Sequence, residues 1–283
     1  MNVEQQLRGA GRDIAEEAAA RAVGFIGTDE AGWTGDRLVV IATETPSGPS
    51  ALAYDPVADL WEVLPDPPLH ESTDASVGWA AGLVWVWGAD YINRRLPAQF
   101  VSLDPAAGQW TAHDAGPLSV RWGQAGTGAD DRFVVWGGFD DNRALADGAI
   151  FDPASEAWTM LPDAPIAGRT GHALVWTADE VAVIGGAEPG EGPYEGVFYD
   201  PVADARYDPA EQRWRQVPLH LPQWVGSRVT WSGPGTALTQ TLPPLPVAFQ
   251  CPLRIAAVGD DLFASAAYTG QECGGGQIWR LQA

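Results

Sequence analysis

The chain has 283 residues, 46% of them hydrophobic, with 33 Gly and 23 Pro; this is apolar enough for a large core and rich enough in turns to favour strands over long helices. Thirty-seven acidic residues face sixteen basic ones, a formal net charge of −21, and so acidic a surface repels phosphate backbones and anionic lipid, excluding nucleic acid as an expected partner. Every basic residue is Arg, so the amine needed for Schiff-base catalysis or a phosphate-binding loop is missing.

Residues 1–24 scatter Arg8, Arg12, Glu16, Glu17 and Arg21 among Ala and Leu, which predicts a polar or amphipathic helix or leader without the continuous apolar stretch of a signal peptide. The folded domain is expected over 25–283. Its longest apolar run, Val77 to Trp87, is too short to span a bilayer. The sequence reads as that of a soluble, monomeric and, as written, cytoplasmic protein with no membrane insertion. An extracytoplasmic location stays open if the start is truncated or an anchor was lost.

From residue 51 onward a repeat sets the organisation. Asp-Pro, four residues and then Trp occurs at Asp55…Trp61, Asp104…Trp110, Asp152…Trp158 and Asp208…Trp214, with starts 49, 48 and 56 residues apart. Short strand-like segments precede each Asp-Pro: Ala51 to Tyr54, Phe100 to Leu103, Ala149 to Phe151 and Gly196 to Tyr199. Asp accepts backbone N–H bonds at the first turn position and Pro presets φ at the second, so each motif predicts a hairpin returning through its Trp. Tyr-Asp-Pro occurs twice between Tyr199 and Asp208, which lengthens the fourth unit. Upstream of the hairpins lie two further strands per unit, such as Gly171 to Trp176 and Val181 to Gly186, with equivalents in Trp33 to Ile41, Leu83 to Gly88 and Arg132 to Gly138. Continuous apolar runs bounded by turn residues suit strands buried on both faces. Four strands in about 48 residues make one blade of a propeller.

The tail departs from this pattern. Arg228 to Gly233 reads as an opening strand, Pro234 to Pro252 is a Pro- and Thr-rich interruption, and Leu253 to Val258, Asp261 to Tyr268 and Gln277 to Leu281 offer three more strands. The expectation is an all-β propeller of six four-stranded blades, the fifth degenerate, with five as the alternative count; a strand near Val23 to Ile26 would join the ends. Cys251 and Cys273, twenty-two residues apart, are either a disulfide tying the last blade or two half-buried thiols.

Each unit resembles a Kelch repeat: a strand ending in Gly-Gly, a Tyr/Phe-Asp-Pro turn, Trp at fixed spacing, then Leu-Pro and Arg before the next strand. The run from Val134 through Gly137-Gly138, Phe151-Asp152-Pro153, Trp158, Leu161-Pro162 and Arg169 to His172 carries nearly the whole pattern. The resemblance covers about residues 28–231 and implies a Kelch-type β-propeller of the galactose oxidase superfamily. A copper centre like that of galactose oxidase would need two His, two Tyr and a Tyr–Cys crosslink; His70, His113, His172 and His220 lie in different units at unequal positions, so no metal or cofactor is expected. Gly137-Gly138 and Gly185-Gly186 read as structural, and Asp140-Asp141, Glu188, Glu191 and Glu195 as solvated acidic loops lacking a calcium-loop pattern.

Arg121, Arg169 and Arg228 precede the opening strands of successive units. The resemblance places such loops at a mouth of the central channel, where repeated Arg could clamp carboxylates bidentately; the alternative is that each bridges blades through an acidic partner. The leading functional expectation is a non-enzymatic binding module presenting propeller loops to a protein or carbohydrate partner. The alternative is a small enzyme resembling the Kelch-type sialic acid mutarotases, acting on an acidic sugar at the channel mouth.

Overall fold

Each Asp-Pro turn closes as its residues dictate. The Asp carboxylate accepts backbone N–H bonds from Ala58 (Asp55, 2.9 Å), Ala106 and Ala107 (Asp104, 2.9 and 3.0 Å), Ala154 (Asp152, 2.9 Å), and Ala210 and Glu211 (Asp208, 2.8 and 3.0 Å). This orients the chain so that the residue before Asp pairs across the hairpin with the Trp: Tyr54 with Trp61, Leu103 with Trp110, Phe151 with Trp158 and Tyr207 with Trp214. The four motifs are one local structure built four times.

The computed structural model describes residues 30–34, 37–43, 48–55, 58, 60–71, 73–90, 92–140, 142–177, 179–186, 188–189, 198–199, 203–218, 223–225, 228–233, 236–241, 254–258, 261–267 and 276–281. The first sheet joins β1 (Glu30–Trp33), β2 (Leu38–Ala42), β3 (Ser50–Asp55) and β4 (Leu60–Leu64). The second joins β5 (Thr73–Ala80), β6 (Leu83–Asp90), β7 (Gln99–Asp104) and β8 (Gln109–His113). The third joins β9 (Ala125–Ala129), β10 (Arg132–Trp136), β11 (Gly148–Asp152) and β12 (Ala157–Met160). In the fourth, β13 (Ala173–Trp176) and β14 (Val181–Ile184) are followed by a short separate hairpin, β15 (Glu188–Pro189) with β16 (Phe198–Tyr199). The sheet then resumes with β17 (Ala203–Asp208) and β18 (Arg213–Pro218). Two three-stranded sheets complete the series: β19 (Gln223–Val225), β20 (Arg228–Gly233) and β21 (Thr236–Thr241), then β22 (Arg254–Val258), β23 (Asp261–Ala267) and β24 (Gly276–Leu281). All pairings between strands are antiparallel, no helix occurs among the described residues, and the architecture is that of a Kelch-type β-propeller.

One strand assignment is corrected. The hairpin partner in the fourth unit is Ala203–Asp208, not Gly196 to Tyr199, whose Phe198 and Tyr199 pair instead with Pro189 and Glu188. Of the two Tyr-Asp-Pro copies, only the one at Asp208 has Trp six residues on; the copy at Asp200 has Arg206 there. Without the aromatic cross-strand partner the first copy cannot close the repeat's hairpin. The expected amino-terminal helix, the closing strand near Val23, Cys251 and Cys273 all lie outside the described residues.

Burial on both faces accounts for the unbroken apolar runs. In β6, Val84 and Val86 pack into a cluster with Val39, Ile41 and Ala51 of the first sheet, while Trp85 and Trp87 face Phe133, Val135 and Phe151 of the third. In β10, Phe133 and Val135 face the second sheet, and Val134 and Trp136 face Leu174, Val181, Val183 and Tyr207 of the fourth. Alternate side chains point to opposite faces of a strand, so each central strand feeds two cores and neither face can be polar. Innermost strands touch in the order β1, β5, β9, β13, β22, and β22 returns to β1. The circuit of innermost strands thus runs through the first four sheets named and the last one.

Candidate functional site

At the end of the propeller where the Gly-Gly pairs lie, the chain leaves the second strand of the third and fourth sheets through left-handed backbone. Gly137 and Gly138 have φ of 74° and 95°, and Gly185 and Gly186 of 63° and 86°, conformations that glycine adopts without strain. These turns direct a carbonyl towards the Arg sixteen residues earlier. Arg121 donates from Nη1 to Gly137 O (3.2 Å), and Arg169 from Nη1 to Gly185 O (3.0 Å). Both Arg have 0% exposure.

Both guanidinium groups make further contacts. Arg121 holds Asp147 bidentately (Nη1–Oδ1 2.8 Å, Nη2–Oδ2 3.2 Å) and bonds Ser119 through Nε and Nη2. Arg169 donates to Ala203 O (2.8 Å) and lies 3.6 Å from Oδ1 of buried Asp204, which also accepts the Gly185 N–H (3.0 Å). In both cases the acidic partner belongs to the sheet that the Arg itself opens, not to a neighbouring blade. Arg121 and Arg169 are brought to equivalent places, but as internal clamps on the Gly-Gly turn. Arg228 starts β20, where its backbone pairs with Val225 and Thr241; its side chain lies outside the described residues. His172 joins the same unit: its Nε2 lies 3.1 Å from Trp136 O of the preceding sheet, and a Cβ on Gly137 would collide with its ring.

A girdle of polar contacts joins three sheets beside these clamps. Gly123 N–H donates to Oδ2 of Asp74 (2.6 Å), Gln124 Nε2 to Asp74 O (2.9 Å), and Gly171 N–H to Gly123 O (3.0 Å). Asp74, Gln124 and His172 are all buried. His113, elsewhere, bonds Ser102 (2.8 Å) and packs on Trp85 and Phe100, and burial lowers its pKa below the ordinary 6.5. Among the described residues no three His, Cys, Asp or Glu gather as metal ligands, and no helix is long and apolar enough to cross a membrane.

The half-exposed chemistry lies one residue from the clamp. Trp122 pairs its backbone with Phe139 (N–H to O 3.0 Å, and 2.7 Å in return), and their rings meet edge to face at 5.2 Å. Phe139 also bridges to Ala144, within a turn capped by Asp140, which accepts the Asn142 and Arg143 N–H groups. From the second sheet, the segment after β6 is capped by Asp90 through the Ile92 and Asn93 N–H groups and sets Arg94 Cζ 4.3 Å over the Trp122 ring. An exposed contact of this kind is worth about 0.5–1 kcal/mol. Ile92, beside it, is 69% exposed. Three segments from two sheets thus converge on one aromatic pair. The repeat reading missed this cluster because none of Arg94, Trp122 and Phe139 recurs; the one signal was Trp122 standing where the next unit has Thr170.

No family model matches the chain, and no curated protein matches it by sequence. Among solved structures, the one titled "Structure of YjhT" is similar, with a TM-score of 0.63 at 13% identity, over 90% of this chain and 97% of that one. At so low an identity the likeness shows the propeller fold alone.

Proposed function

We propose that this chain is a non-enzymatic binding module that presents the loops at one end of its propeller to a protein or glycan partner. The observation that carries the reading is the convergence of three loop segments on Trp122 and Phe139, with Arg94 and Ile92 exposed beside them. Aromatic faces with neighbouring cations and apolar side chains are suited to stacking sugars or burying partner side chains. A second reading, a small enzyme resembling Kelch-type sialic acid mutarotases, draws on the fold likeness. It needs Arg121 and Arg169 in one open pocket, and neither has exposed surface.

The test is binding to glycan and peptide arrays by the wild type and by Trp122→Ala, alongside turnover assays on acidic sugars. Binding that disappears in Trp122→Ala at an unchanged Tm is the expected result. Turnover that is abolished by substitutions lining the channel would replace this reading with the second.

A further inference from the structure

We infer that the Trp122 ring is a receptor for a cationic side chain of a protein partner, and that Arg94 fills that place in cis as a displaceable cap. This rests on the binding-module reading and names the partner's chemistry. Trp offers the strongest cation–π face among the aromatic residues, and this ring already carries a guanidinium, with Arg94 Cζ 4.3 Å from its centroid. Phe139 braces the ring edge-on, and the paired Trp122 and Phe139 backbones hold both in place. The receptor is therefore built into the third sheet, independently of which cation lies on it.

The cap comes from a different sheet. Its segment is held by the Asp90 side chain and by a turn from Leu96 N–H to Asn93 O (2.9 Å), while Ile92, Asn93, Arg94 and Arg95 are exposed. Ile92, Asn93, Arg94 and Arg95 belong neither to the Gly-Gly clamps nor to the buried core clusters.

Charge selects a cation as the displacing group. The chain carries −21 overall, which draws basic partners by long-range attraction. The segments meeting at Trp122 (90–98, 114–124 and 137–147) contain five Asp and four Arg. Lifting Arg94 away leaves three Arg against five Asp in these segments. An incoming Arg or Lys replaces the cation that left; an incoming carboxylate does not.

Calorimetric titration of the full chain with an Arg-rich oligopeptide, and with a Glu-rich peptide of equal length, tests this at low and at physiological salt. The proteins compared are wild type, Arg94→Ala, Trp122→Ala and Trp122→Phe, each with its Tm recorded. The Arg-rich peptide is expected to bind, more weakly at higher salt, and Arg94→Ala to bind it about two- to five-fold tighter because the internal competitor is gone. Trp122→Ala loses binding by at least that factor, and Trp122→Phe, which keeps a weaker aromatic face, falls between. Arg94→Ala binding no tighter than wild type, or failing to bind at all, overturns the inference, as does undiminished binding by Trp122→Ala. Trp122-dependent binding of the Glu-rich peptide or of a glycan overturns it while leaving the binding-module reading standing. Sugar turnover without peptide binding removes both.

Discussion

Arg121 shows how far one side chain's role depends on what surrounds it. Its guanidinium is fully buried and satisfied by Asp147, Ser119 and the Gly137 carbonyl. Removing one member of a buried pair leaves an uncompensated charge and costs about 3–5 kcal/mol; because Asp147 is 38% exposed, solvent relieves part of that. Asp147→Asn should therefore destabilise by an amount near the low end of the range, read as a lower urea midpoint at unchanged m-value, without altering ligand binding. Titration at two other residues contributes to acid sensitivity. Burial holds His113 below its ordinary 6.5, and hydrogen bonds from Arg215 first, then Arg206, hold Glu180 below 4.5. In both, the unfolded chain binds the proton more readily, so stability falls as pH drops, from about 6.5 downward for His113 and from about 4.5 for Glu180. Unfolding midpoints measured from pH 8 to pH 5 should decline in the wild type and flatten in His113→Asn; an equal decline in both would refute the His113 assignment.

Between elements, the repeated Trp does more than fill space. Trp110 Nε1 donates to Pro65 O (2.8 Å), Trp158 to Asp114 O (2.9 Å) and Trp214 to Pro162 O (2.8 Å). Each acceptor lies four residues after the preceding unit's Trp, so every indole ties its outer strand to the exit of the blade before. Replacing Trp with Phe keeps most of the ring packing and removes the bond, at about 0.5–1.5 kcal/mol each. The three sites share no partner, so Trp110→Phe, Trp158→Phe and Trp214→Phe should add within error in the triple variant; strong non-additivity in urea unfolding would show that the staples are coupled. Gly137→Ala tests the link between sheets differently. Its Cβ would enter the His172 ring at a φ of 74°, so the loss of stability should be smaller when measured in a His172→Ala background.

At the scale of the molecule, the circuit of innermost strands closes through β22, which touches both β13 and β1. The central strands β6, β10 and β14 bury both faces, so an open ring would expose apolar outer faces of the first and fourth sheets. A chain ending at Pro218 is expected to self-associate or to lose cooperative unfolding, seen by size-exclusion chromatography and by hydrogen exchange in β2 and β14. A monomeric, fully cooperative truncated protein would mean that the four regular blades need no closure.

Local chemistry was legible from residues alone. Asp-Pro with Trp six positions after Asp specifies a turn, a cross-strand partner and an outer strand within eight residues, so the hairpins at Asp55, Asp104, Asp152 and Asp208 follow from short-range physics. The apolar runs in β6, β10 and β14 follow as well, because only strands buried on both faces lack polar alternation. The strand before Asp208 was misplaced where two Tyr-Asp-Pro copies compete, since which copy meets a Trp is settled by pairing. The roles of Arg121 and Arg169 lay beyond sequence. Their repeat position says where the backbone is, whereas burial and the reach to Gly137 O, Gly185 O, Asp147 and Asp204 depend on a fold that brings residues 16 to 35 positions apart together. The Arg94–Trp122–Phe139 cluster was hidden for the complementary reason: it belongs to loops that do not repeat, and contacts between different blades exist only once the blades stand side by side.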